Sequence, residues 1–425
     1  MAAGRWYKLD NAAIIVPCSA HGFDTRVFRL SAELTEEVDP SLLAQALKET
    51  APEFPHFNCA LRKGLFWYYL DGLDEEPTCE EDHLPPMSPL YLPGRRNLLY
   101  RVTYYRRRIN LEMFHVLADG TGAFVFLQKI VTRYLALRHS LQPESIALED
   151  SSNEEKSDDA FARYYQKMKS DQLHQMTSVK AYQLHGEVDA NQNNHIVEAV
   201  VSASEMKEAA KREKTTIGVL ITSLYIQAVV DGMSVRDRRR PVVISVPVNL
   251  RNFFPSETVR NFFGVINISY DAKEYDGTLE SILDAVAAQF KGKLDRSSVA
   301  AVMNSYSGLT ENLLVKAVPL FLKEPCITWF LYRSQKGITA TMSNIGSIHM
   351  PEQIGGYIDH FAAFMTAPNM QVTIATYKDK LCIGSCSRFV NHDVCLRLYR
   401  RLTQMGLSVT ISTNDYDLPA QKEGE

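Results

Sequence analysis

The sequence predicts a mixed α/β fold in two lobes, and three observations point to it. The chain has 425 residues, more than one ordinary hydrophobic core accommodates. In both halves, segments with apolar residues at alternate positions interleave with segments in which they recur at helical spacing. Between the halves lies "LEDSSNEEKSDD", residues 148–159, which is acidic and lacks apolar periodicity. It reads as a solvated linker or surface loop, and the expected domains are 1–180 and 181–425.

In chain order, strands are expected at "RVFRLSAEL" (26–34), "GLFWYYL" (64–70), "LLYRVTYY" (98–105) and "INLEMFHV" (109–116), with a helix at "PSLLAQALKETA" (40–51). A further helix follows Gly120, with Ala123, Phe126, Leu127, Ile130, Tyr134 and Leu137 on one face and Thr121 able to cap it. Past the linker, "SASEMKEAAKREK" opens a helix with Ser204 as its cap. "TTIGVLITSLYIQAVVDGM" is apolar nearly all round and belongs inside a core. Strands at "PVVISVPVN" and "FGVINISYD", a helix at "TLESILDAVAAQFKGKL", strands at "GITATMSNIG", "MQVTIATYK" and "KLCIGSCS", and a helix at "HDVCLRLYRRLTQM" complete the second lobe.

Composition narrows the function classes. Hydrophobic residues are 45% and charged residues 23%, and the formal net charge of −4 gives no general pull toward nucleic acid or an anionic membrane. A small-molecule partner is expected instead. No continuous apolar run reaches the ~18–20 residues of a membrane span, and "MAAGRWYKLDNAAIIVP" lacks the core of a signal peptide, so a cytoplasmic location is expected. Seven scattered cysteines suit a reducing compartment. Cys382 and Cys386 share a strand face but have no complementary ligand pair, so no metal is expected. The basic runs "YYRRRIN" and "VRDRRRP" read as a solvated turn and a helix end.

The stretch richest in chemistry is "NLEMFHVLADGTGAFVFL", residues 110–127. Strand alternation puts Ile109, Leu111, Met113 and His115 on one face, and Asn110, Glu112 and Phe114 on the other. An imidazole at the end of an apolar row is poised to emerge where the buried face meets an opening. Mostly neutral at pH 7, it can take a proton from an attacking hydroxyl or amine, a service typically worth about 10² to 10⁴ in rate. The plain alternative is a core histidine bonded to its surroundings. Against that stands the spacing His115-x-x-x-Asp119-Gly120: with eleven histidines, chance supplies about 0.03 such matches.

This motif resembles the HHxxxDG or HxxxDG signature of the acyl-CoA-dependent acyltransferases built like chloramphenicol acetyltransferase, which include condensation domains, wax-ester synthases and alcohol acetyltransferases. "VPVNLRNFFPSETVRNFFGVINI" (246–268) is similar to the family segment whose arginine pairs with the motif aspartate, the position of Arg251. "TATMSNIGSI" (339–348) resembles the Ser-Asn-x-x-Gly variants of alcohol acetyltransferases and wax-ester synthases. "RWYKLDNAA" and "RKGLFWYYLDG" are similar to the bacterial alcohol-acetyltransferase-like branch.

The resemblance implies an α+β sandwich of two chloramphenicol-acetyltransferase-like domains, with a channel between them and His115 midway along it. His115 would be the general base, and Asp119 would point away from the substrates to pair with Arg251. Ser343, and after it Asn344, would donate to the oxyanion; the Ser-Asn pair could equally build a strand bulge, and the Gly120 N–H is another donor. The donor would be acyl-coenzyme A as a co-substrate, with no permanently bound cofactor. The acceptor would be a small alcohol or amine, and a monomer would suffice. Transfer to a hydroxyl is the leading expectation, ahead of amide formation and of a silent small-molecule-binding relative. Alternation also explains Phe114: the first His of an HH pair would face away from the channel, so Phe114 replaces a packing residue.

Overall fold

The protein is described by a computed structural model over residues 5–142, 151–165, 180–311 and 317–414. It is mixed α/β, as expected. Among the described residues there are three sheets, of three, seven and five strands.

The five-stranded sheet runs in the order Ile358–Met365, Val27–Leu34, Arg108–Phe114, Tyr100–Tyr105, Cys79–Glu81. The strands Val27–Leu34, Arg108–Phe114 and Tyr100–Tyr105 pair antiparallel. Their alternation is as the sequence requires, but both faces are covered. Ile109, Leu111 and Met113 are fully buried among apolar neighbours. The opposite row is polar and internally satisfied: Ser31 Oγ donates to Asn110 Oδ1 at 2.7 Å, and Glu112 accepts from Arg29 Nε and Arg101 Nε, each at 2.7 Å. Buried polar groups need such partners, because an unmet one costs about 1–3 kcal/mol. The helices Pro40–Thr50 and Gly120–Arg138 belong to this half, and Phe126 of the second meets Phe54 and Phe57 edge-on.

The seven-stranded sheet runs Phe263–Tyr270, Val242–Asn249, Ala340–Ile348, Met370–Tyr377, Lys380–Ser387, His195–Ser202, Thr410–Thr413. Ala340–Ile348 is parallel to both of its neighbours, and the other pairings are antiparallel. The helix Ile217–Val230 is buried from Val219 to Val230, as its all-round apolarity demands, and packs in a second core with Leu398 and Leu402 of the helix Asp393–Gln404.

Several local expectations are corrected. The helix Ala203–Arg212 is capped by Ser202, whose Oγ accepts from Glu205 N, and not by Ser204. The described part of the acidic stretch, 151–159, lies at the surface, with Ser152–Glu155 exposed, but it is not a free linker: it forms the short helix Asn153–Ser157, and Asp159 caps the helix Ala160–Tyr164. Its backbone docks on the second half: Val259 N donates to the Lys156 carbonyl at 2.9 Å, and Thr258 Oγ1 to the Asp158 carbonyl at 2.7 Å. Residues 148–150 of that expectation lie outside the described residues. Arg108 is not a solvated turn residue either. It forks onto Glu198 at 2.9 and 3.0 Å and reaches Glu33 at 2.8 Å, and His360 Nε2 lies 2.9 Å from the same Glu198.

Sheet membership also crosses the middle of the chain. Ile358–Met365, far into the second half, is the edge strand of the five-stranded sheet and pairs antiparallel with Val27–Leu34. Gly384 of the seven-stranded sheet lies against it, where an added Cβ would come 2.3 Å from the Ala363 carbonyl oxygen.

Candidate active site

His115 follows directly on the last residue of the Arg108–Phe114 strand, and its backbone N–H donates to the Arg26 carbonyl at 2.9 Å. His115 is half-buried as a residue, and its ring stands between Phe28, edge-on at 5.3 Å, and Phe263 at 5.5 Å. Phe114 is fully buried and stacks on Tyr91 at 5.7 Å, a packing residue. The imidazole pKa is lowered from its ordinary value, by loss of water first and by the Arg26 charge as well, against the pull of its own backbone carbonyl, Asp119 and Asn261. The ring is therefore a neutral proton acceptor at pH 7.

One side of the ring is held by a residue that the sequence reading did not single out. His115 Nδ1 lies 2.9 Å from Asn261 Oδ1. Asn261 Nδ2 donates to the His115 carbonyl and to Asp10 Oδ2, each at 3.1 Å. Asp10 is buried, accepts from Ala13 N at 2.8 Å, and lies 3.8 Å from Arg260 Nε. Burial raises the Asp10 carboxyl to about 6, despite the opposing pull of Arg260 and the two hydrogen bonds. Both residues sit inside stretches noted for their resemblance, "RWYKLDNAA" and residues 246–268, but nothing local ties them to His115.

Asp119 and Arg251 meet as the resemblance implied: Arg251 Nη1 donates to Asp119 Oδ2 at 2.8 Å. The same Oδ2 accepts from Phe262 N at 2.8 Å, and Oδ1 accepts from Gly122 N at 2.9 Å. Asp119, rather than Thr121, thus caps the helix Gly120–Arg138, and Thr121 lies within it. The rest of the Arg251 guanidinium binds the loop ahead of Phe262, donating to the carbonyls of Thr258 at 3.0 and 2.9 Å and Arg260 at 2.7 Å. Among the described residues neither member hydrogen-bonds to the His115 ring. The pair pins the loop that carries Asn261.

Gly120 opens the helix with an ordinary backbone conformation, so positive φ does not explain it; an added Cβ would lie 2.8 Å from Cδ1, the flexible end, of Ile345. Ile345 belongs to a bulge in the strand Ala340–Ile348, between Asn344 and Gly346. Gly346 has φ +92°, and its N–H donates to Asn344 Oδ1 at 2.9 Å, so the stretch Ser343-Asn344-Ile345-Gly346, with one residue between Asn and Gly, does build a bulge beside the motif turn. Ser343 is half-buried on that strand and Asn344 is exposed. Among the described residues neither hydrogen-bonds to His115. A cleft of about 530 Å³ opens elsewhere, lined by His21, Phe321, Glu324, Thr328, Trp329 and Tyr332.

All seven cysteines are free thiols, with Cys382 and Cys386 buried. The described residues contain no group of three or more His, Cys, Asp or Glu able to hold a metal, and no helix among them is long and apolar enough to cross a membrane.

No family model and no curated protein matches the sequence. Solved structures do match in fold. Polyketide synthase associated protein 5 from Mycobacterium tuberculosis superposes with a TM-score of 0.64 at 14% identity, over 93% of this chain and 96% of its own. The first condensation domain of the calcium-dependent antibiotic synthetase, in complex with a substrate analogue, gives 0.62 at 13% identity over 95% and 96%. The TRI3 trichothecene 15-O-acetyltransferase from Fusarium sporotrichioides gives 0.60 at 10% identity over 93% and 94%. Likeness at such identities speaks for the fold alone: this chain has the fold of these condensation-domain and acetyltransferase structures, as its HxxxDG motif implied.

Proposed function

We propose that the protein transfers an acyl group from acyl-coenzyme A to a hydroxyl acceptor, with His115 as general base. The observation that carries this reading is the neutral imidazole of a half-buried residue fixed at a strand end, with Asn261 on one ring nitrogen. The acceptor O–H gives its proton to His115 while its oxygen attacks the thioester carbonyl. The tetrahedral oxyanion collapses, the C–S bond breaks, and the coenzyme A thiolate leaves with the proton that His115 held. Ser343 is assigned as the oxyanion donor, with Asn344 as the alternative, on their place beside the motif turn. Asp119, Gly120 and Arg251 shape the turn and the loop. Free thiols throughout the chain are consistent with work in the reducing cytoplasm.

Amide formation on an amine is the second reading, favoured by the condensation domain among the structural likenesses. Release of free coenzyme A thiol from acyl-CoA, measured across a panel of alcohols and amines, separates the two by which acceptors accelerate it. His115→Ala is expected to lower that rate at least about 100-fold. Equal rates in the two proteins would remove His115 as the base.

A further inference from the structure

We infer that Asn261 is a positioning residue that sets the tautomer of His115, keeping the proton on Nδ1 and the lone pair on Nε2, and that Asp10 holds the Asn261 amide in the orientation this requires. The inference rests on the reading of His115 as base for its purpose, but not for its geometry.

The argument is one of donors and acceptors. An asparagine amide offers donors at one end and an acceptor at the other. Asn261 Nδ2 is within 3.1 Å of two oxygens, the His115 backbone carbonyl and Asp10 Oδ2. A carbonyl oxygen only accepts, so the NH₂ end must face it whatever the protonation state of Asp10. Turned the other way, the amide oxygen would face that carbonyl, two acceptors in contact inside the protein. The Asn261 end that meets the imidazole is therefore Oδ1, 2.9 Å from Nδ1, and an acceptor there requires Nδ1 to carry the hydrogen. A neutral ring has one N–H, so Nε2 is left with its lone pair free to take a proton.

Asp10 completes the arrangement from beneath. It is 1% exposed and ties the first turn of the chain to the loop, through Ala13 N and Asn261 Nδ2. Arg260, next to Asn261, stands over it and donates to the Lys8 carbonyl at 2.5 Å. The segment around Asp10 and the loop around Asn261 are thereby locked to each other, and the amide cannot turn over without breaking its three hydrogen bonds.

The test is ¹⁵N NMR of the full chain labelled at the histidine ring nitrogens, at a pH where His115 is neutral, with its signals assigned by their loss in His115→Ala. The wild type is expected to carry its proton on Nδ1. Asn261→Leu removes the acceptor and should move His115 toward a mixture with Nε2–H. It should also lower kcat by about 10- to 100-fold, the scale on which imidazoles lose function when their orienting partner is removed, with KM changed less than about twofold. A wild-type proton on Nε2 overturns the inference, and so does an unchanged tautomer in Asn261→Leu. Should Asn261→Leu fail to fold, the wild-type spectrum still decides it. Full thiol release by His115→Ala would remove the base while leaving the tautomer assignment standing, so the two failures are distinct.

Discussion

At the scale of single residues, the motif divides its labour. His115 meets Asn261 through one ring nitrogen, whereas Asp119 spends both oxygens on structure: Gly122 N on one, Arg251 and Phe262 N on the other. Asp119→Asn has one acceptor for these three donors and leaves the Arg251 guanidinium, largely buried, without its counter-charge. Breaking a buried pair from one side costs about 3–5 kcal/mol. We expect urea unfolding to show a loss of that order, and we expect kcat of the fraction that remains folded to fall far less than in His115→Ala. A variant as stable as wild type that lost only kcat would reassign Asp119 to the chemistry. His115, Asp119 and Gly120 were legible in the sequence because three or four residues of spacing carry the signal. Asn261 and Asp10 were not, since Asn261 reaches His115 across 146 residues and Asp10 across 251, and no local pattern records such a meeting.

At the scale of elements, the start of the helix Gly120–Arg138 shows why patterns settle an element more surely than its ends. Asp119 and Thr121 are both good cap formers, and what decides between them is the extended backbone of Asp119, at φ −84° and ψ 175°. Gly122 has a reason no propensity reveals. A Cβ there would sit 1.9 Å from the Val259 carbonyl oxygen, in the loop that Arg251 pins and that carries Asn261. Glycine to alanine in a helix ordinarily stabilises by about 1 kcal/mol. Here the sign is expected to reverse: Gly122→Ala should destabilise by about 1–3 kcal/mol, as overpacked sites do, and should loosen the hold on His115. Chemical denaturation checks it, and a gain in stability would show the contact to be slack. The misreading of 151–159 has a similar source. The acidic side chains do face solvent, but the stretch docks through its backbone carbonyls and through the buried Lys156, whose Nζ stands over the Phe54 ring. The helix Leu320–Gln335 escaped the sequence reading, and Pro325 inside it is the residue that would argue against a helix there.

At the scale of the whole molecule, a buried ionic group joins the two large sheets. Arg108 and His360 from the five-stranded sheet meet on Glu198 of the seven-stranded one. Burial works against the charge on His360, but the hydrogen bond and charge of Glu198 outweigh it, and its pKa is raised. Burial likewise opposes the charge on Glu198, yet His360 and Arg108 bring it down to about 2. Because the folded value of His360 lies above the unfolded one near 6.5, its contribution is complete below that pH and is lost as pH rises through the folded value. Thermal unfolding of wild type and His360→Gln should therefore differ most near pH 6 and converge toward pH 9; a difference that widened with pH would rule out a charged His360. The alternation of strands and helices made the mixed architecture readable, but not the return of Ile358–Met365 to the first sheet, since pairing between distant strands leaves no mark on either. That return sets a timetable. Thr366, just past the edge strand, bonds to the Val27 carbonyl 339 residues earlier. At about 5–20 residues per second, a ribosome needs roughly 20 s to a minute to cover that interval. For that long the nascent Val27–Leu34 strand has an open hydrogen-bonding edge, a template for pairing with another chain. The interval in which this protein is most exposed to misassembly is thus written into the order of its strands.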